Sequence, residues 1–424
     1  MRVLLCSNFY YRRGGDCTYL LALKALLEKH GHETAIFSMR HPQNLPCPQE
    51  EYFVEHLDYA ELNAAKNPAN ALKVLGRSIW SRQARKSVGR LVADWKPDVA
   101  HFQNVHAYLT PSIVGPLEEA GVPIVWTLHD YKLICPNDNF FSNGRICEEC
   151  KGGRFWRCGR NRCKKGSVAA SAVAALEAYA HRWMDLPKRV GAFVAPSEFL
   201  KAKFVEFGWP AEKIHARPNF LAELPAEVAL EGEGHGLYLG TLLPTKGVDV
   251  LLRALARVPF REFHVLGDGV ERPRLEKLAA ELGLGGRVKF RGFLGGAELA
   301  KEMAGARYAA MPSIWYENGP YAAMELMARG IPLAASAVGG IPELVRHGET
   351  GLLFAPGDVD GLAAQLVRME TEPGTREDLG RRAREFVVRR CDAEGYREFI
   401  EGVYGHRTVA RISVAAAERE RTRR

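Results

Sequence analysis

The chain has 424 residues, of which 47% are hydrophobic and 25% charged, and it carries a formal net charge of +8. This length predicts two or three domains of a globular enzyme, while the longest apolar runs fall far short of the roughly 18 residues that a membrane span needs. Met1 and Arg2 lead straight into a short strand without the apolar region of a signal peptide, so we expect a cytoplasmic protein. The positive charge suits anionic substrates or an acidic membrane surface, and no nucleic-acid motif accompanies it.

Short β-rich runs alternate with helical patterns along the chain. In the first half this predicts strands near 3–6, 34–37, 99–103, 124–128 and 192–196, and helices near 15–30, 71–95, 111–120, 168–185 and 198–207. In the second half it predicts strands near 236–240, 263–266, 288–291, 308–312 and 333–336, with helices between them. Such alternation is typical of parallel sheets covered by helices on both faces. We therefore expect an α/β protein with two Rossmann-like domains.

The predicted domain boundaries follow from composition. The first domain spans 1–216 and contains a cysteine-rich insertion at 130–167, and the second spans 235–390. The stretch 217–234 has the least regular pattern and is the predicted linker. Residues 391–424 are expected to form a C-terminal helix and a charged tail, whose last dozen residues fray.

Three glycine-containing loops follow predicted strands, where open parallel sheets bind ligands. Gly15 opens a helix and is suited to an anion at the helix N-terminus, although a Gly-Gly pair is often only a turn. Lys246 stands at the start of another helix and suits a phosphate, although isolated loop lysines are usually solvated. Gly267 belongs to a G-x-G pattern that lacks the third glycine of the dinucleotide fingerprint, and the chain contains no P-loop.

The most informative segment is YENGPYAAMELMARGIP, in which Glu317 and Glu325 are separated by seven residues. Pro320 at the start and Gly330 after the end predict a short helix between them. This helix is apolar on nearly every face, so we expect it to be buried, and its lone carboxylate Glu325 needs hydrogen-bond partners. Sugar hydroxyls suit that role, while a cap on a neighbouring loop is the plainer alternative. With Lys246 and the helix N-termini, the pattern indicates a sugar-nucleotide site.

The order of these motifs resembles the retaining, nucleotide-sugar-dependent glycosyltransferases of GT-B fold, family 4, also called glycosyl transferases group 1. The matching segments span nearly the whole chain and are, in order, GGDCTYLLALKALLEKHGHE, TLHDYKLICPN, VAPSEFL, ARPNF, YLGTLLPTKGVDVLLRAL, HVLGDG, VKFRGFL, ENGPYAAMELMARGIP, AVGGIPELV and TGLLFAPGD. The resemblance implies two Rossmann-like domains whose parallel sheets face each other across a cleft.

The resemblance also implies roles for the residues at matching positions. Glu317 would hold hydroxyls of the donor sugar, Glu325 those of the ribose, Lys246 the diphosphate, and His129 the sugar near its reacting carbon. The full implied donor-binding set, beyond the catalytic His129, Glu317 and Lys246, is Gly15, Gly240, Thr241, Gly267, Arg291, Asn318, Gly319, Tyr321 and Glu325. Members of the family retain anomeric configuration without a catalytic metal, by positioning and electrostatic stabilisation of the leaving diphosphate.

One position departs from the family pattern. An arginine commonly follows the glycine of the Gly240 loop, and here that residue is Thr241. Arg12, Arg13 or Arg291 are the alternative cations, and we expect weaker nucleotide binding rather than loss of the fold. His129 has an alternative role as a core histidine bonded to a backbone carbonyl.

The insertion contains five cysteines. Cys147 and Cys150 form a C-x-x-C pair, and with Cys135 and Cys163 they predict a structural zinc site in which Cys158 is the alternative fourth ligand. Free thiols are the other interpretation, and cysteine-bearing insertions also occur in some members of the resembled family. Because the insertion directly follows His129, we expect it to shape the acceptor side of the cleft.

Residues 66–92 combine basic and apolar side chains, namely Lys66, Lys73, Arg77, Arg82, Arg85, Lys86 and Arg90 with Leu72, Leu75, Ile79 and Trp80. Such a helix suits the anionic inner face of the cytoplasmic membrane and a lipid-linked acceptor, or it is an ordinary sheet-covering helix with a solvated basic face. The expected activity is transfer of a sugar from a nucleoside-diphosphate-sugar to a hydroxyl of a glycan or lipid-linked glycan, in cell-surface polysaccharide synthesis. A sugar-nucleotide epimerase of the same fold is the alternative.

Overall fold

A computed structural model describes residues 1–56, 76–77, 79–106, 108–226 and 234–405. The first sheet has six parallel strands in the order β2-β1-β3-β4-β7-β8. Its strands are β1 (Arg2–Cys6), β2 (Glu33–Phe37), β3 (Val99–Phe102), β4 (Ile124–Thr127), β7 (Ala192–Ala195) and β8 (Ile214–Ala216). A small antiparallel hairpin in the insertion is formed by β5 (Phe141–Ser142) and β6 (Arg145–Ile146).

Helices cover both faces of this sheet. They are α1 (Gly15–Lys29), α2 (Arg82–Trp95), α3 (Val114–Glu119), α4 (Trp156–Arg160), α5 (Val168–Trp183), α6 (Leu186–Arg189) and α7 (Glu198–Glu206). Strand β1 is buried on both faces of the sheet. Leu4 belongs to the hydrophobic core on one face, and Val3 and Leu5 belong to the core on the other face. A strand between two cores reads as a continuous apolar run, which is how VLLC appears in the sequence.

The second sheet repeats this architecture with six parallel strands in the order β11-β10-β9-β12-β13-β14. The strands are β9 (His235–Leu239), β10 (Phe263–Leu266), β11 (Val288–Gly292), β12 (Ala306–Met311), β13 (Leu333–Ser336) and β14 (Gly351–Phe354). Its helices are α8 (Val248–Leu255), α9 (Arg272–Glu281), α10 (Gly296–Ala304), α11 (Tyr321–Ala328), α12 (Ile341–Leu344), α13 (Val359–Thr371) and α14 (Pro373–Arg390). The prediction of two Rossmann-like domains with parallel sheets is confirmed.

Two predicted helices differ from the observed ones. Of the helix predicted at 71–95, residues 71–75 and 78 lie outside the described residues, and residues 76, 77 and 79 are helical. The helix is interrupted at Ser81, which caps α2 because its Oγ accepts a hydrogen bond from the Ala84 N–H. The helix predicted at 111–120 is divided into a 3₁₀ turn, Pro111–Ile113, and α3. Residues 227–233 of the predicted linker also lie outside the described part of the chain.

A last helix at 393–405 returns to the first domain. Tyr396, Ile400 and Tyr404 are buried in the same core as Val3 and Leu5 of β1. The chain therefore crosses from the second sheet back to the first near its C-terminal end, and this crossing holds the two domains on either side of one cleft.

Candidate active site

Each sheet has one point at which its strand order reverses, between β1 and β3 in the first and between β9 and β12 in the second. Parallel sheets bind ligands beside the carboxyl ends of the strands at such points. A cavity of about 600 Å³ lies there, lined by loops of both domains. The residues of interest that line it are Arg13, Gly15, Asn104, His129, Asp130, Gly240, Thr241, Lys246, Ser313, Trp315, Glu317, Asn318, Gly319 and Tyr321.

The charged centre of this cavity is an ion pair between Lys246 and Glu317. Lys246 Nζ lies 2.6 Å from Glu317 Oε1, and the same oxygen accepts hydrogen bonds from Ser313 Oγ at 2.7 Å and Trp315 Nε1 at 2.9 Å. Burial by itself raises the pKa of the Glu317 carboxyl, but Lys246 and the two hydrogen bonds outweigh burial and hold that pKa below its ordinary value. Glu317 is therefore an ionised, nearly buried carboxylate whose charge Lys246 balances.

Two helix N-termini open into the same cavity. Helix α1 begins after Gly14 and α11 after Pro320, and neither cap residue offers a side-chain hydrogen bond to the first-turn N–H groups. Pro320 thus stands one position before the helix as its cap. A Cβ atom on Gly15 would lie 3.4 Å from Tyr321 Cδ2, so the two N-termini are neighbours. Free N–H groups at the positive ends of two helices suit a polyanion.

His129 follows β4 on the first-domain side of the cavity. Its Nε2 lies 2.8 Å from Gln103 Oε1, and its carbonyl oxygen accepts a hydrogen bond from Asn318 Nδ2 at 2.9 Å. The alternative prediction was a core histidine bonded to a backbone carbonyl, but the partner of the His129 ring is the side-chain oxygen of Gln103. Burial lowers the pKa of His129 to about 4, against the opposing charge of Asp16. The ring is neutral near pH 7, with one nitrogen donating and the other accepting.

Three further residues of the cavity were not predicted from the sequence. Asp130 lines the cavity beside His129, and burial, reinforced by the negative charge of Asp138, raises the pKa of its carboxyl to about 7. Its position directly after His129 in the TLHD segment is the signal that points to it. Ser313 and Trp315 orient Glu317, and only their proximity to Glu317 along the chain points to them.

Gly240 and Gly267 bring two loops of the second domain into contact. Gly267 has a φ of +126°, and a Cβ atom there would lie 2.0 Å from the Gly240 carbonyl oxygen. The Gly240 N–H donates to the Leu266 carbonyl oxygen at 3.0 Å, and Tyr238 Oη donates to the Thr241 carbonyl oxygen at 3.1 Å. Glycine is required at position 267 because this backbone conformation and this close approach both exclude a side chain.

Glu325 lies on a neighbouring cavity of about 360 Å³, which shares Tyr321 with the first one. Gly296, Leu299 and Arg329 also line this second cavity. Burial raises the pKa of the Glu325 carboxyl, and Arg329 opposes that change. Glu317, which precedes α11, and Glu325, which lies within it, therefore line two adjoining cavities.

The alternative cations predicted for Thr241 have different positions. Arg13 lines the active-site cavity, where its guanidinium lies 3.9 Å from the centre of the Phe9 ring. Arg291 is absent from the described lining of both cavities, and its guanidinium pairs with Glu302 at 2.8 Å. The predicted contact of Arg291 with the nucleotide therefore receives no support, and Arg13 is the better-placed substitute.

Glu302 also belongs to the one group of three in the described residues that has metal-ligand spacing, with His235 and His264. His264 Nδ1 lies 2.6 Å from Glu302 Oε2, and His264 Nε2 lies 2.7 Å from Glu262 Oε1. Both nitrogens of His264 are thus already engaged with carboxylates, and we interpret the group as an ion-pair network.

The five cysteines of the insertion lie near one another without the spacing of a metal site. Cys150, Cys158 and Cys163 share a small hydrophobic cluster, but no three sulfurs of the described cysteines lie mutually within 4.8 Å. The Cys158 thiol donates a hydrogen bond to Cys163, which lowers the pKa of Cys163 to about 6. The predicted zinc ligands, Cys135, Cys147, Cys150 and Cys163, therefore leave out Cys158, which is a central member of this cluster. Zinc binding by this cluster stays a prediction.

The basic segment 66–92 is only partly described, since 66–75 and residue 78 lie outside the described residues. In the part that is described, Arg85 pairs with Glu119, and Arg77 donates to the Glu55 carbonyl oxygen at 2.6 Å. These contacts favour the sheet-covering interpretation over a membrane-binding one. Within the described ranges, every helix is too short or too polar to cross a membrane.

Two family models match consecutive parts of the chain. The family described as Glycosyltransferase Family 4 matches residues 13–222, and the family described as Glycosyl transferases group 1 matches residues 223–386. The MMP alpha-(1->4)-mannosyltransferase of Mycolicibacterium hassiacum is 36% identical over 181 residues, which are 42% of this chain and 41% of that protein. The first three such relatives are matched over only 41% to 55% of their own length.

Solved structures match the chain over nearly its whole length. HepE of Anabaena, crystallised with UDP and glucose, gives a TM-score of 0.66 at 19% identity, over 96% of this chain and all of that one (100%). Sucrose-phosphate synthase of Thermosynechococcus elongatus gives a TM-score of 0.70 at 20% identity, over 96% of this chain and 99% of that one. At these identities the likeness establishes the fold alone. With the two family matches, it shows that the chain belongs to the family 4 glycosyltransferases of GT-B fold.

Proposed function

We propose that this glycosyltransferase moves a sugar from a nucleoside-diphosphate-sugar to a hydroxyl of a glycan or lipid-linked glycan, with retention of anomeric configuration. The observation that carries the proposal is the convergence of Lys246 and the N-termini of α1 and α11 on one cavity that also holds Glu317. A diphosphate needs such cationic and N–H groups, and a sugar needs a carboxylate beside them. The uridine nucleotides bound to HepE support uridine as the first base to test.

In this proposal the cavity acts by positioning and electrostatics. The diphosphate would displace Glu317 from part of its pairing with Lys246 and take up the free N–H groups of the two helices. As the bond between the sugar carbon and the phosphate oxygen breaks, its electron pair leaves with the diphosphate, whose growing charge these groups stabilise. The acceptor oxygen bonds to the same face of the sugar carbon, and its proton passes to the departing phosphate oxygen.

The two sides of the cavity then have separate roles. Glu317 accepts hydrogen bonds from hydroxyls of the donor sugar, and the neutral ring of His129 contacts the sugar from the first domain. Glu325 accepts hydrogen bonds from the ribose in the adjoining cavity. The first domain supplies the acceptor side, and we place the acceptor in cell-surface polysaccharide synthesis at the inner face of the cytoplasmic membrane, on the strength of the resemblance and of the net charge.

Binding of nucleotides tests the proposal directly. We would measure the thermal shift with UDP, GDP, ADP and their common sugar conjugates for wild type, Glu325→Gln and the control Glu281→Gln, whose side chain is 58% exposed on α9. Stabilisation by one nucleotide, weakened by Glu325→Gln and unchanged by Glu281→Gln, is the expected result. Absence of any stabilisation would overturn the proposal. Conversion of the donor sugar without an acceptor, followed by NMR, would instead support the epimerase.

A further inference from the structure

A further cavity, in the first domain, lies apart from the residues that are expected to bind the donor. This cavity of about 280 Å³, which we call the insertion cavity, lies between the cysteine-rich insertion, α5 and the end of α7. Apolar and aromatic side chains form much of its wall, and polar groups of α5 and the turn after it complete the wall. The residues that matter here are Leu133, Phe155, His181, Arg182, Phe207 and Trp209.

His181 is the feature of the insertion cavity that points to a ligand. It is only 4% exposed, and neither of its ring nitrogens has a hydrogen-bond partner among the described residues. Buried polar atoms are rarely left unpaired, because such an atom has lost its hydrogen bonds to water and gained none in return. Burial lowers the pKa of His181 to about 4, so the ring is neutral at pH 7 and offers one donor and one acceptor.

The chemistry of this wall narrows the class of ligand. A neutral imidazole pairs well with a hydroxyl group, which both donates and accepts. Aromatic side chains such as Trp209 and Phe207 provide apolar surface for the C–H groups of a pyranose ring, and Arg182 adds hydrogen-bond donors. A saccharide combines polar and apolar groups within one small ring, as this wall does, whereas a phosphate would meet the carboxylate of Asp185 and a neutral histidine.

The insertion cavity is close to the active site but separate from it. Leu133 lines both the insertion cavity and a small pocket of about 10 Å³ that His129 and Asp130 also line. The His181 and His106 rings are 6.3 Å apart, and His106 Nε2 lies 3.9 Å from Asp130 Oδ1. One layer of side chains therefore separates the insertion cavity from the active site. Because this layer lies between them, a long acceptor that occupies both sites has to run along the surface of the protein.

We propose that the insertion cavity is a saccharide-binding site that holds a sugar unit of the acceptor glycan away from the reacting hydroxyl. The part of this inference that concerns the acceptor rests on the proposed transferase function. The part that concerns binding rests on the cavity, the unpartnered His181 and the aromatic wall. Such a site would favour longer acceptors over single sugars by raising their effective concentration at the cleft.

The test measures saccharide binding and nucleotide binding separately on the full-length protein. The probes are methyl α-D-glucopyranoside, methyl α-D-mannopyranoside and methyl α-L-rhamnopyranoside at millimolar concentration, followed by saturation-transfer NMR, with UDP binding followed by thermal shift. The variants are His181→Phe, which keeps the ring volume but removes both nitrogens, and Arg182→Ala on the exposed side of α5. Lys246→Ala is the control for the donor cleft, because Lys246 lines the active-site cavity and not the insertion cavity.

We expect at least one methyl glycoside to bind equally well to wild type and to Lys246→Ala. The same glycoside should bind at least fivefold more weakly to His181→Phe and to Arg182→Ala. These two variants should bind UDP as wild type does. If His181→Phe fails to fold, Arg182→Ala alone decides. Binding that Lys246→Ala abolishes would place the sugar in the donor cleft and overturn the inference. Absence of saccharide binding to wild type would mean that water alone fills the cavity, and would overturn it too. Saccharide binding without UDP binding would support the cavity site while the proposed function fails.

Discussion

Lys246 and Glu317 show how a binding site is stabilised before its ligand arrives. Each residue is expected to contact a different part of the donor, yet in the structure they pair with each other at 2.6 Å. A nearly buried carboxylate without a partner is costly, so the lysine that later binds phosphate also keeps Glu317 ionised. The cost of separating the pair is then offset only by a ligand that supplies both negative charge and hydroxyl groups. This pairing favours a complete sugar nucleotide over either fragment.

Replacing Lys246 by alanine should weaken both activity and stability. We expect turnover to fall by about 100-fold, because one electrostatic group is lost from the transition state, and stability to fall by about 3 kcal/mol, because Glu317 is left without its counter-ion. Lys277→Ala is the control and should change neither quantity, because Lys277 is an exposed residue of α9 that pairs with Glu281 at 3.8 Å. Urea unfolding and steady-state kinetics measure the two effects.

The pH dependence of that loss gives a sharper test. In wild type the folded pKa of Glu317 lies below its unfolded value, so its stabilising contribution is present above pH 4.5 and is lost as the pH falls through the folded pKa. In Lys246→Ala this pKa rises, so the gap in stability between wild type and variant should be largest at pH 7 and shrink toward pH 4. Glu317→Gln in the Lys246→Ala background should recover part of the loss. An equal gap at both pH values would contradict the argument.

At the scale of elements, main-chain contacts rather than side-chain contacts fix the positions of the loops after β9 and β10. Gly267 packs against the Gly240 carbonyl oxygen, and the Gly267 N–H donates to the Gly292 carbonyl oxygen at 2.8 Å. Three neighbouring strands thus end in loops that are tied together through main-chain atoms. The position of Thr241 at the cavity follows from this arrangement.

Gly267→Ala should therefore disrupt the donor side of the cavity. Its φ of +126° strains any other residue, and the new Cβ meets backbone, which moves only if the loop moves. Gly286→Ala is the matched control, because Gly286 also has a positive φ, of +93°, but has nothing within 4 Å of a Cβ position. We expect a loss of about 1 kcal/mol in the control, and a larger loss with weakened UDP binding in Gly267→Ala. Equal effects would show that conformation alone matters.

The elements also show what the sequence predicts well and what it does not. Alternating strand and helix patterns predicted five of the six strands in each sheet and missed β8 and β14. They succeed because a strand buried on two faces is a continuous apolar run that local composition reveals. The Lys246–Glu317 pair joins residues 71 positions apart, and no local pattern says that they meet. For the same reason no local pattern shows that Arg291 pairs with Glu302, and His181 gave no signal at all. The spacing of apolar residues along the chain shows which face of a helix or strand is buried, but it does not show which distant residues that face contacts.

At the scale of the whole molecule, the two domains are joined twice. The chain passes from the first sheet to the second through the linker, and helix 393–405 brings it back. Tyr396 Oη lies 2.6 Å from Tyr19 Oη, and Tyr404 Oη lies 2.7 Å from His101 Nδ1. Tyr19 also packs against His129 with ring centroids 5.1 Å apart, so the returning helix supports the first-domain side of the active site.

Removing residues 391–424 should therefore destabilise the first domain, although the deleted segment follows the second one. The deletion uncovers core that Tyr396, Ile400 and Tyr404 now bury, and at about 1.5–3 kcal/mol for each large side chain the loss approaches the 5–15 kcal/mol by which whole domains are stable. Removing only 406–424 is the control, because every contact named above lies before residue 406. We expect the short truncation to unfold like wild type, and the long one to expose Trp126, now 1% exposed, to a fluorescence quencher. A long truncation that keeps the wild-type unfolding curve would show that the first sheet is stable without the returning helix.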